Sequence, residues 1–246
     1  APDAVQNLVR YFHNQEVGGV CGRLCLIDPH GQPSGAGEGM YWQYENLIKK
    51  AEGALRSVIS ANGAIFAVRK RLFDPLAVDK PLNDDLMITL KILKKGKRVV
   101  YEPEAEAREH TSSAMEGEFA RKIRISSLNF NALGPILELL HPRYGFTAFA
   151  LFSHKLLRWA VPLLGLGMLV SNGLLLGTRP LYTVTLILQA VVYLGALLGF
   201  AADRLYGKSG PLIPFYYLAM INLAIVIGLW RSLTRTQALA WKRVER

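Results

Sequence analysis

The chain has 246 residues, 29 Lys and Arg against 19 Asp and Glu, and 51% hydrophobic residues. The charges crowd into roughly the first 145 residues and the last 16, and the stretch between is nearly pure Leu, Val, Ala, Gly and aromatics, so one uniform soluble domain is excluded. A net charge of +10 beside that apolar block points to a membrane surface, not nucleic acid, as the anionic partner.

In chain order, Asp3 is placed to cap a short helix over 3–14, where Val5, Leu8, Val9 and Phe12 fall at helical spacing. Val17–Ile27 reads as a strand with glycines where backbone or ligand comes close. Its Cys21 and Cys25 are too few for a zinc site and lack C-x-x-C spacing, which leaves two small thiols in a reducing compartment. Residues 28–39 are turn-rich and read as a loop. Over 40–59 the pattern predicts a helix. Tyr41, Tyr44, Ile48, Ala51, Leu55 and Val58 form its inward stripe, and Gln43, Lys49, Lys50, Glu52 and Arg56 face away. Trp42 lies off that stripe and is the aromatic placed to meet a ligand.

A turn at 60–63 precedes a short strand at 64–68, and a helix over 84–95 is ended by Gly96. A strand at 97–101 and a helix from residue 118 follow. Strands alternating with helices argue an α/β sheet domain. Three apolar runs then come at about 158–177, 181–202 and 211–230, each near the ~20 residues that span a bilayer. They hold almost no ionisable residue, which argues against a transporter. An odd number of spans separates the soluble part from the basic tail at 231–246, although both should be cytoplasmic. Either one run is re-entrant or residues 146–157 add a segment.

Four features carry chemistry. They are the turn Asn62-Gly63, the acidic pair Asp84-Asp85 opening a helix, the segment 96–105, and Arg121 with Arg124 on one helical face. Singly each has a plain reading: a turn, a helix cap, a strand and a solvated face.

In this order, and followed by membrane helices, they resemble the family-2 glycosyltransferases, and among them the membrane-embedded synthases related to those of cellulose, chitin and hyaluronan. The resemblance implies an α/β fold. Residues 1–145 would be the catalytic-base half of a GT-A, Rossmann-like nucleotide-sugar transferase domain, and 146–246 a transmembrane helical region with a basic tail. It puts the general base at Asp85, with Asp84 beside it. Arg124 with Arg121 falls on the leaving diphosphate, and Asn62, Gly63 and Trp42 line the substrate. The segments 152–159 and 241–246 also look like this family. Where the family has Gln-x-x-Arg-Trp, Arg121 replaces Gln and Ile125 replaces Trp, which puts processivity in doubt.

The chemistry matches the groups. A carboxylate must take the proton of the acceptor hydroxyl, cations must meet the charge growing on the diphosphate, and one base opposite the leaving group implies inversion. The resemblance further implies a divalent metal, Mg2+ or Mn2+, a UDP-sugar donor, and a glycan or lipid-linked acceptor beside membrane lipid. It implies a multi-pass protein of the inner membrane with its catalytic domain in the cytoplasm. No Asp-x-Asp metal motif occurs here. With Ala1-Pro-Asp at its start, the sequence is expected to be the later part of a longer chain, with the metal ligands upstream and the strands flanking Val17–Ile27 missing. The alternative is an inactive membrane anchor or assembly subunit keeping the same fold.

Overall fold

A computed structural model describes residues 1–27, 37–76, 81–110, 115–207 and 210–238. Of the loop expected at 28–39, residues 28–36 lie outside the described residues, as does the tail motif at 241–246; Glu38 and Gly39 already belong to a helix.

A short helix α1 (Ala4–Val9) and one 3-10 turn lead into β1 (Val17–Ile27). Asp3 stands at the cap position, but its side chain makes no capping bond; its carbonyl receives Asn7 N instead. Leu8 is buried, whereas Val5 and Val9 are exposed. The sheet has three strands in the order β2 (Phe66–Val68), β1, β3 (Arg98–His110). β2 is antiparallel to β1 and β3 is parallel to it. β1 is thus paired on both sides, which corrects the expectation that its flanking strands are missing. The β1–β3 register slips between Gly22 and Arg23, where β3 carries Pro103. A proline gives the ladder no donor, so a bulge there is the natural outcome. Gly22 is required at that point, because a Cβ would meet Ala105 O at 2.4 Å. Both cysteines are free thiols, as the spacing implied.

α3 (Asp84–Lys94) is the keystone of the core. It buries Leu86, Ile88, Leu90, Ile92 and Leu93. Ile88 and Ile92 pack with Val58 and Val99 on the sheet side. Leu86, Leu90 and Leu93 pack with Ile136 of α5 (Leu133–Leu139), and with Leu151 and Trp159 beyond. Gly96, at φ +73°, closes the helix in the left-handed conformation open to glycine.

Three helices are long and apolar enough to cross a membrane. The first is continuous from α6 (Phe146–Ala150), through one π-helical turn at Leu151–Leu156, into α7 (Leu157–Leu174). Residues 146–157 therefore extend the first apolar helix instead of adding another. The others are α8 (Pro180–Tyr206) and α9 (Ile213–Leu233).

α2 (Glu38–Leu55) reverses its predicted orientation. Glu45, Lys49 and Glu52 are buried, while Tyr44 is 55% and Leu55 71% exposed. Spacings of four and three residues put the three charges on one face. That face turns inward because polar partners wait there: His154 Nδ1 lies 2.6 Å from Glu52 Oε1, and the Arg158 guanidinium pairs with Glu45. The apolar side faces outward beside Phe149 and Leu157, at the flank of the apolar helices.

α4 (Met115–Asn131) lies lengthwise along α9. Tyr217 donates to Glu118 Oε1 at 2.9 Å, and Ser232 donates to Asn131 Oδ1 at 2.6 Å. Both pairs advance together, so the two helices run in the same direction. Between them Gly228 admits α4, since a Cβ there would meet Ser126 Cβ at 2.5 Å and Ser127 N at 2.9 Å. Gly228→Leu is expected to force these helices apart and cost about 1–3 kcal/mol or more, as overpacking does. Thermal unfolding in detergent reads this, and an unchanged midpoint would refute the contact.

Candidate functional site

The site forms where the N-terminus of α3 meets the turn before β2. The Asp84 side chain is exposed, and its Oδ1 accepts from Asp85 N at 3.0 Å. Asp85 is half-buried. Its Oδ2 accepts from Gly63 N at 3.1 Å, and its Oδ1 lies out of water with no partner among the described residues. Gly63 is small for a reason: a Cβ there would sit 3.2 Å from Asp85 Oδ2. Asn62 locks the turn to β1, donating Nδ2 to Gly22 O at 2.7 Å and its backbone N to Cys21 Sγ at 3.2 Å. Its Oδ1 has no partner among the described residues. Two sequence features separated by some twenty residues thus meet in one contact.

Burial pushes the Asp85 carboxyl above its ordinary value; Lys49 and Lys155 oppose that shift and Asp84 adds to it. Arg124, on α4, feels both carboxylates. Burial lowers its pKa, while Asp84 and Asp85 favour its charge. Arg124 therefore stands on the acidic pair's side of the fold. Arg121 turns elsewhere, donating Nε to Glu118 Oε2 at 2.7 Å and Nη2 to Glu38. Trp42 packs edge-on against Tyr41 with ring centres 6.0 Å apart, and its buried Nε1 has no partner among the described residues. No described contact joins Trp42 to Asp85. In the 96–105 segment, Glu102 accepts from Arg10 and from Tyr11, a contact that fastens the chain's start to β3.

The reading of the sequence missed a second layer behind Asp85. Glu52 receives His154 Nδ1 on one oxygen and Ile59 N, at 3.3 Å, on the other. Lys49 donates to Ser60 O. Ala61 N donates to Thr89 Oγ1 at 3.1 Å, and that hydroxyl donates to Asp85 O at 2.7 Å. Two charges of α2 thus hold the segment 59–61, which leads into the turn that contacts Asp85. His154 supplies this layer from a π-helical turn, a deformation often found at functional sites. The signal in the sequence is the 45–49–52 spacing, a polar face on a helix whose apolar stripe competes with it for the interior.

No group of three His, Cys, Asp or Glu side chains able to hold a metal exists among the described residues. The described residues by themselves do not fit a metal centre.

The architecture is mostly helical, with a small three-stranded sheet and three long apolar helices, and it is an architecture found in a glycosyltransferase. The solved structure in question is the mannosyltransferase PcManGT from Pyrobaculum calidifontis, determined in complex with GDP-Man and Mn2+. The TM-score is 0.58 at 17% identity, over 95% of this chain and 58% of that one, so the likeness is one of fold. This chain spans little more than half the length of that protein. No family model and no curated protein matches the sequence.

Proposed function

We propose that this chain carries the catalytic-base half of an inverting, membrane-integrated glycosyltransferase of the family-2 kind. Residues 1–145 supply the GT-A half-site and 146–246 the membrane region. The observation that carries this reading is Asp85: a carboxylate with one oxygen held by Gly63 N, the other without a hydrogen-bond partner among the described residues, and Arg124 close enough to feel its charge. A held base with a spare oxygen can take the proton of an acceptor hydroxyl. A guanidinium nearby can meet charge growing on a leaving diphosphate. Asn62 and Gly63 fix the base, Asp84 raises its pKa, Arg121 sets the helix that presents Arg124, and Trp42 offers an unpaired donor to a sugar. The donor is a nucleotide-sugar, as in the neighbour's complex, and we take it as a UDP-sugar. A divalent metal, as in that complex, would need ligands that these residues do not supply. The acceptor is a glycan or lipid-linked glycan at the inner membrane, with the catalytic part cytoplasmic.

Sugar transfer by the full-length enzyme, compared between Asp85→Asn and Asp84→Asn, tests the assignment. Loss in the first and a smaller loss in the second is the expected contrast. Arg124→Ala is expected to weaken nucleotide binding about 10-fold or more, the worth of a charge-assisted hydrogen bond. Calorimetric titration with the nucleotide reads this, and unchanged binding places Arg124 outside the donor site.

These 246 residues alone are expected to stay in the membrane fraction under alkaline extraction and to turn over no nucleotide-sugar, because base and donor must share one pocket. Recovery as a soluble monomer would refute the membrane part, and turnover would refute the divided site. A second reading, an inactive anchor that keeps the fold, draws on the full commitment of Arg121 to Glu118 and Glu38. Turnover by the full-length protein excludes it.

A further inference from the structure

Two hollows meet at Arg158. One, of about 400 Å³, lies between α2, α7 and α9 against Met40, Leu218, Ile221 and Ile225. The other, of about 480 Å³, lies between α2 and the first apolar helix against Ile48, Leu55, Phe149 and Leu157. Tyr44, Arg158 and Val161 border both. Helices long and apolar enough to cross a membrane form much of their walls, so in a bilayer the material beside them is lipid.

Arg158 is the second residue of α7 and the last charged residue of the first apolar helix, so the uncharged stretch to Leu174 begins just after it. Trp159 follows it, and the rings of Tyr41 and Tyr44 lie 5.9 and 5.7 Å from its guanidinium carbon. Aromatic rings gathered around a cation where an uncharged apolar stretch begins mark the level of lipid head groups. Nη1 of Arg158 donates to Glu45 and, at 3.3 Å, to Tyr41 Oη. Nη2 is shielded from water and has no acceptor among the described residues. An unpaired guanidinium N–H in such a place calls for an acceptor, and a phosphate oxygen is the anionic acceptor abundant at that depth.

We propose that this cleft binds a phosphate-bearing membrane lipid. The phosphate sits on Arg158 Nη2 once the half-exposed Tyr44 ring swings aside, and the two chains lie in the two hollows. The site is separate from the sugar-transfer reading and stands or falls without it.

The test is thermal unfolding of the full chain in an uncharged detergent, titrated with phosphatidic acid, with diacylglycerol of the same chains, or with inorganic phosphate. Phosphatidic acid alone is expected to raise the midpoint. Val161→Trp, which fills the shared border of both hollows from an exposed position, should raise the half-saturating concentration of phosphatidic acid at least 10-fold. Arg158→Gln should remove the preference for phosphatidic acid over diacylglycerol. Equal stabilisation by diacylglycerol overturns the proposal, as does stabilisation by inorganic phosphate alone or an unchanged response in Val161→Trp. Should Arg158→Gln fail to fold because Glu45 loses its partner, the Val161 variant still decides.

Discussion

Asp85→Asn is expected to reduce sugar transfer by the full-length enzyme about 10²- to 10⁴-fold, the usual worth of a general base, while nucleotide binding stays near wild type. The amide keeps the shape, and its oxygen can still accept from Gly63 N at the 3.1 Å position, so the turn should survive. What disappears is the oxygen that can hold a proton. Wild-type turnover would remove Asp85 from the mechanism.

The pH profile supplies an independent reading. Burial holds the Asp85 carboxyl above its ordinary value, with Lys49, Lys155 and Asp84 as its charged neighbours. Activity should therefore begin to fall on acidification at a higher pH than for a solvated carboxylate of pKa about 3.9. Lys49→Met removes an opposing cation and should move that limb to still higher pH. A limb left in place would exclude Asp85 as the titrating base. The linkage to stability has a definite sign. A folded pKa above the unfolded one contributes stability below the unfolded value, and that contribution is lost as pH rises through the folded value.

Glu52→Ala is the substitution expected to harm the fold most. It strands His154 Nδ1, 2.6 Å away, and Ile59 N, both buried. Each orphaned buried donor costs about 1–3 kcal/mol, so a large fall in the unfolding midpoint is expected. Transfer should fall too, because Ile59 begins the segment that leads to Gly63. Glu52→Gln, which retains an acceptor oxygen, should recover part of both. A wild-type midpoint in Glu52→Ala would show that the pair contributes nothing.

Much of this architecture was legible in the residues. Local signals placed β1, α3 and its Gly96 stop, and the three apolar helices, because each rests on backbone preference or on continuous hydropathy within one segment. The Asn62-Gly63 turn and the Asp84-Asp85 pair could be named for the same reason. That they touch could not be read, since no local rule says which residue Gly63 N meets.

α2 departs from what its periodicity predicts. Its apolar stripe predicts an inner face, yet Glu45, Lys49 and Glu52 are inside and Tyr44 and Leu55 outside. The rule that apolar residues face inward assumes water on the other side. Beside helices able to cross a membrane, the outer side can itself be apolar, and buried charges are tolerated where opposite charges and hydrogen bonds meet them. The sequence alone determined β1, α3, the apolar helices and the identity of the acidic pair, since those follow from covalent neighbours. Only the tertiary structure decided which face of α2 is buried, that β1 is central, that α9 lies along α4, and that His154 and Glu52 stand behind Asp85. Each of those depends on partners distant in the chain, whose pairing energies exist only once the chain has folded.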